Sequence, residues 1–246
     1  MKTMLVIAAL ALSGMAATAQ KAETRNVTGF NAINVQNGIE VVYTHGDTES
    51  VKVECSSQNL PYVVTRLKSN TLHISLAKND TDIPATGPVK VYITDNDMAS
   101  IEASAGAMVR VTNEIDVPQL VLELKTGAMF SGNVNATEKM ILKAKSGAAF
   151  KGSIVTGELV TDIRGGAHAR LLGHAVESDI TCSGGTLIAG TFTSESADIH
   201  AVNMSSVAIN VKQKVKANTD NSSAISYSGT PEEVILADNT FAMKRN

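Results

Sequence analysis

A glycine-centred phrase recurs through the second half of the chain. "KTGAMFSGNV" runs from Lys125 to Val134, and "KSGAAFKGSI" follows from Lys145 to Ile154. Anchored on the glycine, the copies read "SAGAMVRV" at Gly106, then Gly127 and Gly147, "RGGAHARL" at Gly166 and "SGGTLIAG" at Gly185. "MSSVAINV" at Ser206 and "NSSAISYS" at Ser223 are weaker copies. Successive anchors lie 21, 20, 19, 19, 21 and 17 residues apart. A short, nearly constant period calls for one small unit stacked on itself.

The unit is too short for a helix pair, and it lacks the asparagine-leucine signature of leucine-rich repeats. Its local period is two. Leu120, Leu122 and Leu124 alternate with Val121 and Glu123, and Met140, Leu142 and Ala144 alternate with Ile141 and Lys143. Such alternation marks half-buried strands. At ~3.3 Å rise per residue, a coil of two or three short strands uses up the period. The predicted fold is all-β: a parallel β-solenoid with coils of about 20 residues.

Stacked coils place equivalent residues in columns. One predicted column reads Ala107, Ala128, Ala148, Ala167, Thr186, Val207, Ala224, and a second reads Val109, Phe130, Phe150, Ala169, Ile188, Ile209, Ser226. The glycines supply the positive φ of a shared corner, with alanine in the narrow space inside it. Two outward columns, Glu102, Glu123, Lys143, Asp162 and Ser104, Lys125, Lys145, Arg164, set opposite charges diagonally on a solvated face.

The chain before the repeats has strand runs such as "GIEVVYT" and "SVKVEC" without the glycine phrase. A soft boundary falls near Asp95. The expected organisation is a signal peptide at 1–20, a β-rich region at 21–95 packed on one end of the solenoid, and repeats at 96–246 ending in a cap, "EEVILADNTFAMKRN". The signal peptide is read from Lys2, the apolar run Met4–Leu12 and the Ala17-Thr18-Ala19 triplet. It implies export to the periplasm, cell surface or medium. Residues 79–88, with Pro84 and Pro88, are the expected loop. Cys55 and Cys182 alternate with polar neighbours and read as buried thiols, although export permits a disulfide.

"FNAINVQNGIEVVYTHGDTESVKVECS", "LKSNTLHISL", the glycine-alanine repeats and the ending "AISYSGTPE" together resemble a bacterial family described as "putative auto-transporter adhesin, head GIN domain". The resemblance covers about Val27 to Lys244. It implies a β-solenoid with an adhesin-like role outside the cytoplasm, and it brings no catalytic residues.

The chain carries a formal net charge of −3, and this mild acidic excess argues against a nucleic-acid partner. No P-loop, zinc-protease, nucleophile-elbow or Cys-x-x-Cys motif occurs, so no enzyme activity, cofactor or metal is expected. An enzyme of β-helix type needs carboxylates gathered in a groove. The residues offering this are Asp162, Arg164, His168 and Arg170, with His174 and Asp179 nearby. An association surface is the other candidate. Met108, Met129, Leu187 and Ile225 form an apolar outward column, and Val121, Ile141 and Val160 form another. The alternative is that these columns are covered within the fold. Expected partners are a cell-surface glycan or protein, or a second copy of the chain. No membrane-spanning segment is expected. An exported, non-catalytic adhesin-like or scaffold protein is the leading reading, ahead of a glycan-binding module.

Overall fold

The computed structural model describes residues 20–77 and 87–245. The stretch before Gln20, where the signal peptide is expected, and most of the 79–88 loop lie outside the described residues. The N-terminal strands are β1 (Gln20–Arg25), β2 (Ala32–Val35), β3 (Glu40–His45), β4 (Ser50–Ser56), β5 (Val63–Lys68), β6 (Thr71–Leu76), β7 (Lys90–Asp95) and β8 (Ser100–Ala103). The repeats form long bent strands, one per coil: β9 (Met108–Lys125), β10 (Met129–Lys145), β11 (Ala149–Arg164), β12 (His168–Ser183), β13 (Thr186–Val202) and β14 (Ser206–Thr219). Short strands β15 (Ala224–Ser228), β16 (Glu233–Leu236) and β17 (Ala242–Lys244) close the chain. The molecule is the expected parallel β-solenoid, with about eight turns of roughly 19 residues.

Each long strand pairs in parallel with the next. Phe130 stands opposite Val109 and Phe150, and Met140 stands opposite Leu120 and Leu159. Burial alternates along β9 in three runs, interrupted by the exposed residues 112–114 and shifted in phase at Pro118–Gln119. The coil therefore has three sides: a short face (108–111), a third face (114–117) and a long face (119–125). Inward residues of all three meet in one apolar core, where the Phe130 and Phe150 rings stack at 5.3 Å, 5° from parallel.

The corner between the long face and the next short face explains the repeated phrase. It uses two consecutive residues with positive φ: Thr126 (50°) and Gly127 (70°), then Ser146 (55°) and Gly147 (73°). Side chains rarely tolerate this region, so glycine holds the second position. The following alanines stack in register. The Met129 N–H donates to the Ala107 carbonyl at 2.9 Å, and the Ala149 N–H donates to that of Ala128 at 2.9 Å.

The fifth corner corrects the predicted columns. The Gly184 N–H donates to the carbonyl of Val202, the residue opposite Ser183, and Thr186 pairs with His168, not with Ala167. This corner is one residue shorter than its predecessors. The alanine column therefore continues as Gly185, Ser205 and Ser223, as the bonds Thr186 N–H to Ala167 O, Ser206 N–H to Gly185 O and Ala224 N–H to Ser205 O show. Side-chain hydroxyls then take over the corner. Ser205 Oγ accepts from Gly184 N–H at 3.0 Å, and Ser223 Oγ accepts from Ser205 N–H at 3.0 Å.

The sheets of the short and long faces continue past Asp95 without a break. On the short-face side β3 pairs with both β7 and β9, and on the long-face side β2 pairs with both β6 and β8. After the edge strand β1, the chain enters the stack at β2 and β3, runs out to its N-terminal end through β4, β5 and β6, and returns through β7 and β8. Antiparallel pairing ends both sheets there, with β5 on β6, and β4 on β7 followed by β1. On β1, Lys21, Glu23 and Arg25 stand opposite Cys55, Val53 and Val51, the core-facing positions of β4. Glu23 and Arg25 form an ion pair at 2.8 Å. Inward-pointing charge on an edge strand discourages further strand addition.

The C-terminal segment, expected as a cap, pairs in parallel with the last coils. Val234 and Leu236 on β16 pair with Val215 and Ala217 of β14, and β17 pairs with β15. Nothing described lies beyond them, and Val234, Ile235, Leu236, Phe241 and Met243 are exposed.

Candidate functional site

The predicted apolar column divides between surface and core. Met129 is exposed and Met108 half-buried on the outside of the short face, next to Ala149, His168 and Thr186. Leu187 and Ile225 point inward, each 1% exposed. The short fifth corner puts Leu187 one place off its predicted position, Ile225 is one place off as well, and in a strand one place exchanges outside for inside. Ile188, assigned to the core from sequence, is 49% exposed for the same reason. Val121, Ile141 and Val160 do form an outward column on the long face, half-buried among longer neighbours. Asp179, Asp198 and Lys216 continue it.

The polar cluster is also divided. Asp162 and Arg164 lie on the long face and pair with each other. His168 and Arg170 lie beyond the Gly165-Gly166-Ala167 corner on the short face, and His174 lies on the third face. All five are outward, as the alternation indicates, but the corner points the two pairs in different directions. Among the described residues no group of three potential metal ligands comes together.

Long-face charges are mostly neutralised locally. Lys125 bonds Glu102 at 2.7 Å and Glu123 at 3.2 Å, and Lys145 reaches Glu123 at 3.9 Å. The hydrogen bond that the Lys125 ammonium donates to Glu102 holds its pKa above the usual range. Exposed pairs like these contribute about 0.2–1 kcal/mol each. Further along the same face a hollow of about 310 Å³ is lined by Glu158, Glu177, Asp179, Asp198, Lys214 and Lys216. Its cations are already engaged: Lys216 with Asp198 at 2.7 Å and Lys214 with Glu233 at 2.9 Å.

The short face differs. One outward column runs Arg110, Ser131, Lys151, Arg170, Ile188. Arg110, Lys151 and Arg170 are exposed, and none forms an ion pair among the described residues. Rungs ~4.8 Å apart put Lys151 and Arg170 next to each other, with Arg110 two rungs away at roughly 10 Å. Where this face bends into the third, Gly132 and Gly152 carry no side chains, leaving a hollow of about 280 Å³. Ser131, Asn133, Lys151, Arg170 and Leu172 line the rest of it. Sequence reasoning named Arg170 but placed it in a different constellation. A column two positions beyond Ala149, read across the first four repeats, contains Arg110, Lys151 and Arg170 in plain view.

Cys55 and Cys182 are free and buried, and burial pushes both thiols up from their usual range. Tyr43, wholly buried, donates its hydroxyl to the Asp95 carbonyl at 2.9 Å. These groups belong to the core. No described helix is long and apolar enough to cross a membrane.

The whole-chain likeness extends to solved structures. A crystal structure described as a putative adhesin from Parabacteroides distasonis ATCC 8503 superposes with a TM-score of 0.83 at 18% identity, covering 93% of this chain and 98% of that one. One from Parabacteroides merdae ATCC 43184, also described as a putative adhesin, gives 0.81 at 18% identity, covering 92% and 96%. A structure from Parabacteroides distasonis described as a putative lipid binding protein gives 0.75 at 12% identity, covering 92% and 97%. At these identities the likeness establishes the fold. Among curated protein sequences none matches. The family model described as "putative auto-transporter adhesin, head GIN domain" matches residues 29–231, most of the solenoid and its N-terminal strands, and the chain belongs to that family.

Proposed function

We propose that this chain is an exported, non-catalytic adhesin-like or scaffold protein of the bacterial cell envelope. The separation of Asp162 and Arg164 from His168 and Arg170 by a tight corner carries the non-catalytic part. Acid–base chemistry needs its groups converging on one reacting bond, and these diverge. Three strand-built faces with fixed side-chain spacing suit a surface that displays contacts. Family membership supports the adhesin-like part.

The same reading includes self-association. The apolar side chains of β16 and β17, on the open C-terminal edge, favour that end over the Met108–Met129 column. An unpaired apolar edge is a ready template for another strand. Light scattering across a concentration series distinguishes the two ends of this reading. An assembly lost in Val234→Lys/Leu236→Lys supports the edge, and a monomer at every concentration removes self-association.

The test of function measures binding and turnover together. Immobilised extracellular polysaccharides and matrix proteins are incubated with the purified protein. Saturable retention with unchanged ligand chain length is expected. Ligand cleavage that disappears in Asp162→Asn contradicts the proposal.

A further inference from the structure

We infer that the short face is a binding site for an acidic polysaccharide lying along the solenoid axis, held by Arg110, Lys151 and Arg170. The inference rests on the adhesin-like reading only for the ligand being extracellular. It stands on three observations of this face.

The first is charge. The chain is acidic overall, yet this column bears three cations without a carboxylate partner, while Lys125, Lys139, Lys214 and Lys216 on the long face are all engaged. The column next to it, Met108, Met129, Ala149, His168, Thr186, holds no acid in these coils. On the other side, Glu114 heads the column Asn133, Ser153, Leu172, so carboxylate is confined to the end near Arg110. Cations left unpaired on an acidic protein are available to a ligand's carboxylates or sulfates, and arginine adds bidentate geometry.

The second is shape. The Gly132–Gly152 bend leaves its 280 Å³ hollow directly beside Lys151 and Arg170. A Cβ at Gly132 would stand 2.4 Å from Val111 Cβ, so the backbone is held tight against its neighbour. The wall is consequently recessed there, with room for a ring and with Ser131 and Asn133 offering polar groups to its hydroxyls.

The third is the apolar rim. Met129, Leu172 and Ile188 are 42%, 45% and 49% exposed around the cations. Sugar rings present C–H faces as well as hydroxyls, and this mixture of apolar and cationic side chains matches a ring bearing an acid group. A single file of cations along the axis fits a linear polyanion better than a plane of lipid headgroups. Single-stranded nucleic acid is disfavoured because its proteins use aromatic stacking platforms, and the nearest aromatic in this column, Tyr92, lies beyond Val42 with Lys52 over its ring at 5.9 Å.

Calorimetry with a defined oligogalacturonate tests the site on the purified protein. Neutral maltodextrin, anionic phospholipid vesicles and single-stranded DNA are the comparison ligands. Binding of the oligogalacturonate alone, weakening as salt rises, is expected. Affinity falls roughly tenfold for each cation removed in Lys151→Gln and Arg170→Gln. Lys145→Gln/Arg164→Gln on the long face leaves it unchanged, and unaltered melting shows that all variants fold. Equal weakening by both pairs overturns the location. Tighter binding to vesicles or DNA, or none to oligogalacturonate, overturns the ligand class. If Lys151→Gln/Arg170→Gln keeps full retention on the immobilised surfaces of the earlier assay, this site fails while the adhesin-like reading stands.

Discussion

Replacing Gly152 by alanine adds one carbon at the most crowded point of the wall. A Cβ there stands 1.8 Å from the Gly132 carbonyl oxygen and 3.0 Å from its carbon, whereas real Cβ contacts essentially never fall under 3.0 Å. Both obstructing atoms are backbone, so no rotamer relieves the clash. Strands β10 and β11 must separate locally by more than an ångström. That weakens the ladder bonds on either side, at about 1 kcal/mol each, and adds overpacking of about 1–3 kcal/mol. The expected loss is roughly 2–4 kcal/mol, which for a chain of this size lowers Tm by about 4–16 °C. Gly190→Ala is the control. Its Cβ meets nothing within 4 Å, and the expected change is under about 0.5 kcal/mol. Thermal and denaturant melts followed by circular dichroism measure both. Equal melting of Gly152→Ala and the wild type refutes the packing of adjacent rungs described here.

Phe150→Ala removes a ring that is 1% exposed and stacked on Phe130, and should cost about 3–5 kcal/mol in denaturant melts. The Asp220 carboxylate accepts from the Asn203 N–H at 2.7 Å and the Ser222 N–H at 3.1 Å, which with the Ser223 hydroxyl holds its pKa down at about 2. Its unfolded value is about 3.9, so its contribution is complete above that pH and is lost as pH falls towards 2. Asp220→Asn should therefore melt lower than wild type at neutral pH, with the gap narrowing through that window. Buried and unpaired, Cys55 and Cys182 should resist a thiol reagent in the native protein and both react on unfolding; one that reacts at once contradicts its burial.

The coil length and the first four corners were legible because one geometric need, positive φ beside a narrow core, restricts the residues that fit. The charged diagonals were legible for the same reason: Glu102–Lys125 and Glu123–Lys145 are the pairs the columns place together. The fifth corner was not. Gly184-Gly185 resembles Gly165-Gly166, but the first pair does the work of one corner glycine and one core alanine. Sliding the frame by one put Leu187 and Ile225 outside. The alternation Leu187, Ala189 and Val207, Ile209, Val211, all buried, held the correcting signal. The insertion of β2 between β6 and β8 left no local trace, since pairings this distant in sequence depend on the whole stack. The candidate site was partly legible: each of Asp162, Arg164, His168 and Arg170 was placed outward, but a corner's direction is invisible in a linear pattern.

The register of the coils is tested most directly by excision. Residues 129–148 make one complete coil, because Ala149 stands where Met129 does and its N–H already bonds the Ala128 carbonyl at 2.9 Å. Removing them seats Phe150 over Val109, the place Phe130 now holds. Interior units of a stacked array are dispensable in this way. Removing 139–148 alone takes out the long-face segment and leaves the coil unclosed. The whole-coil deletion should give a β-rich protein with a cooperative melt, and the half-coil deletion should give none. Two deletions that melt alike, or a whole-coil deletion that fails to fold, contradict stacked coils in register.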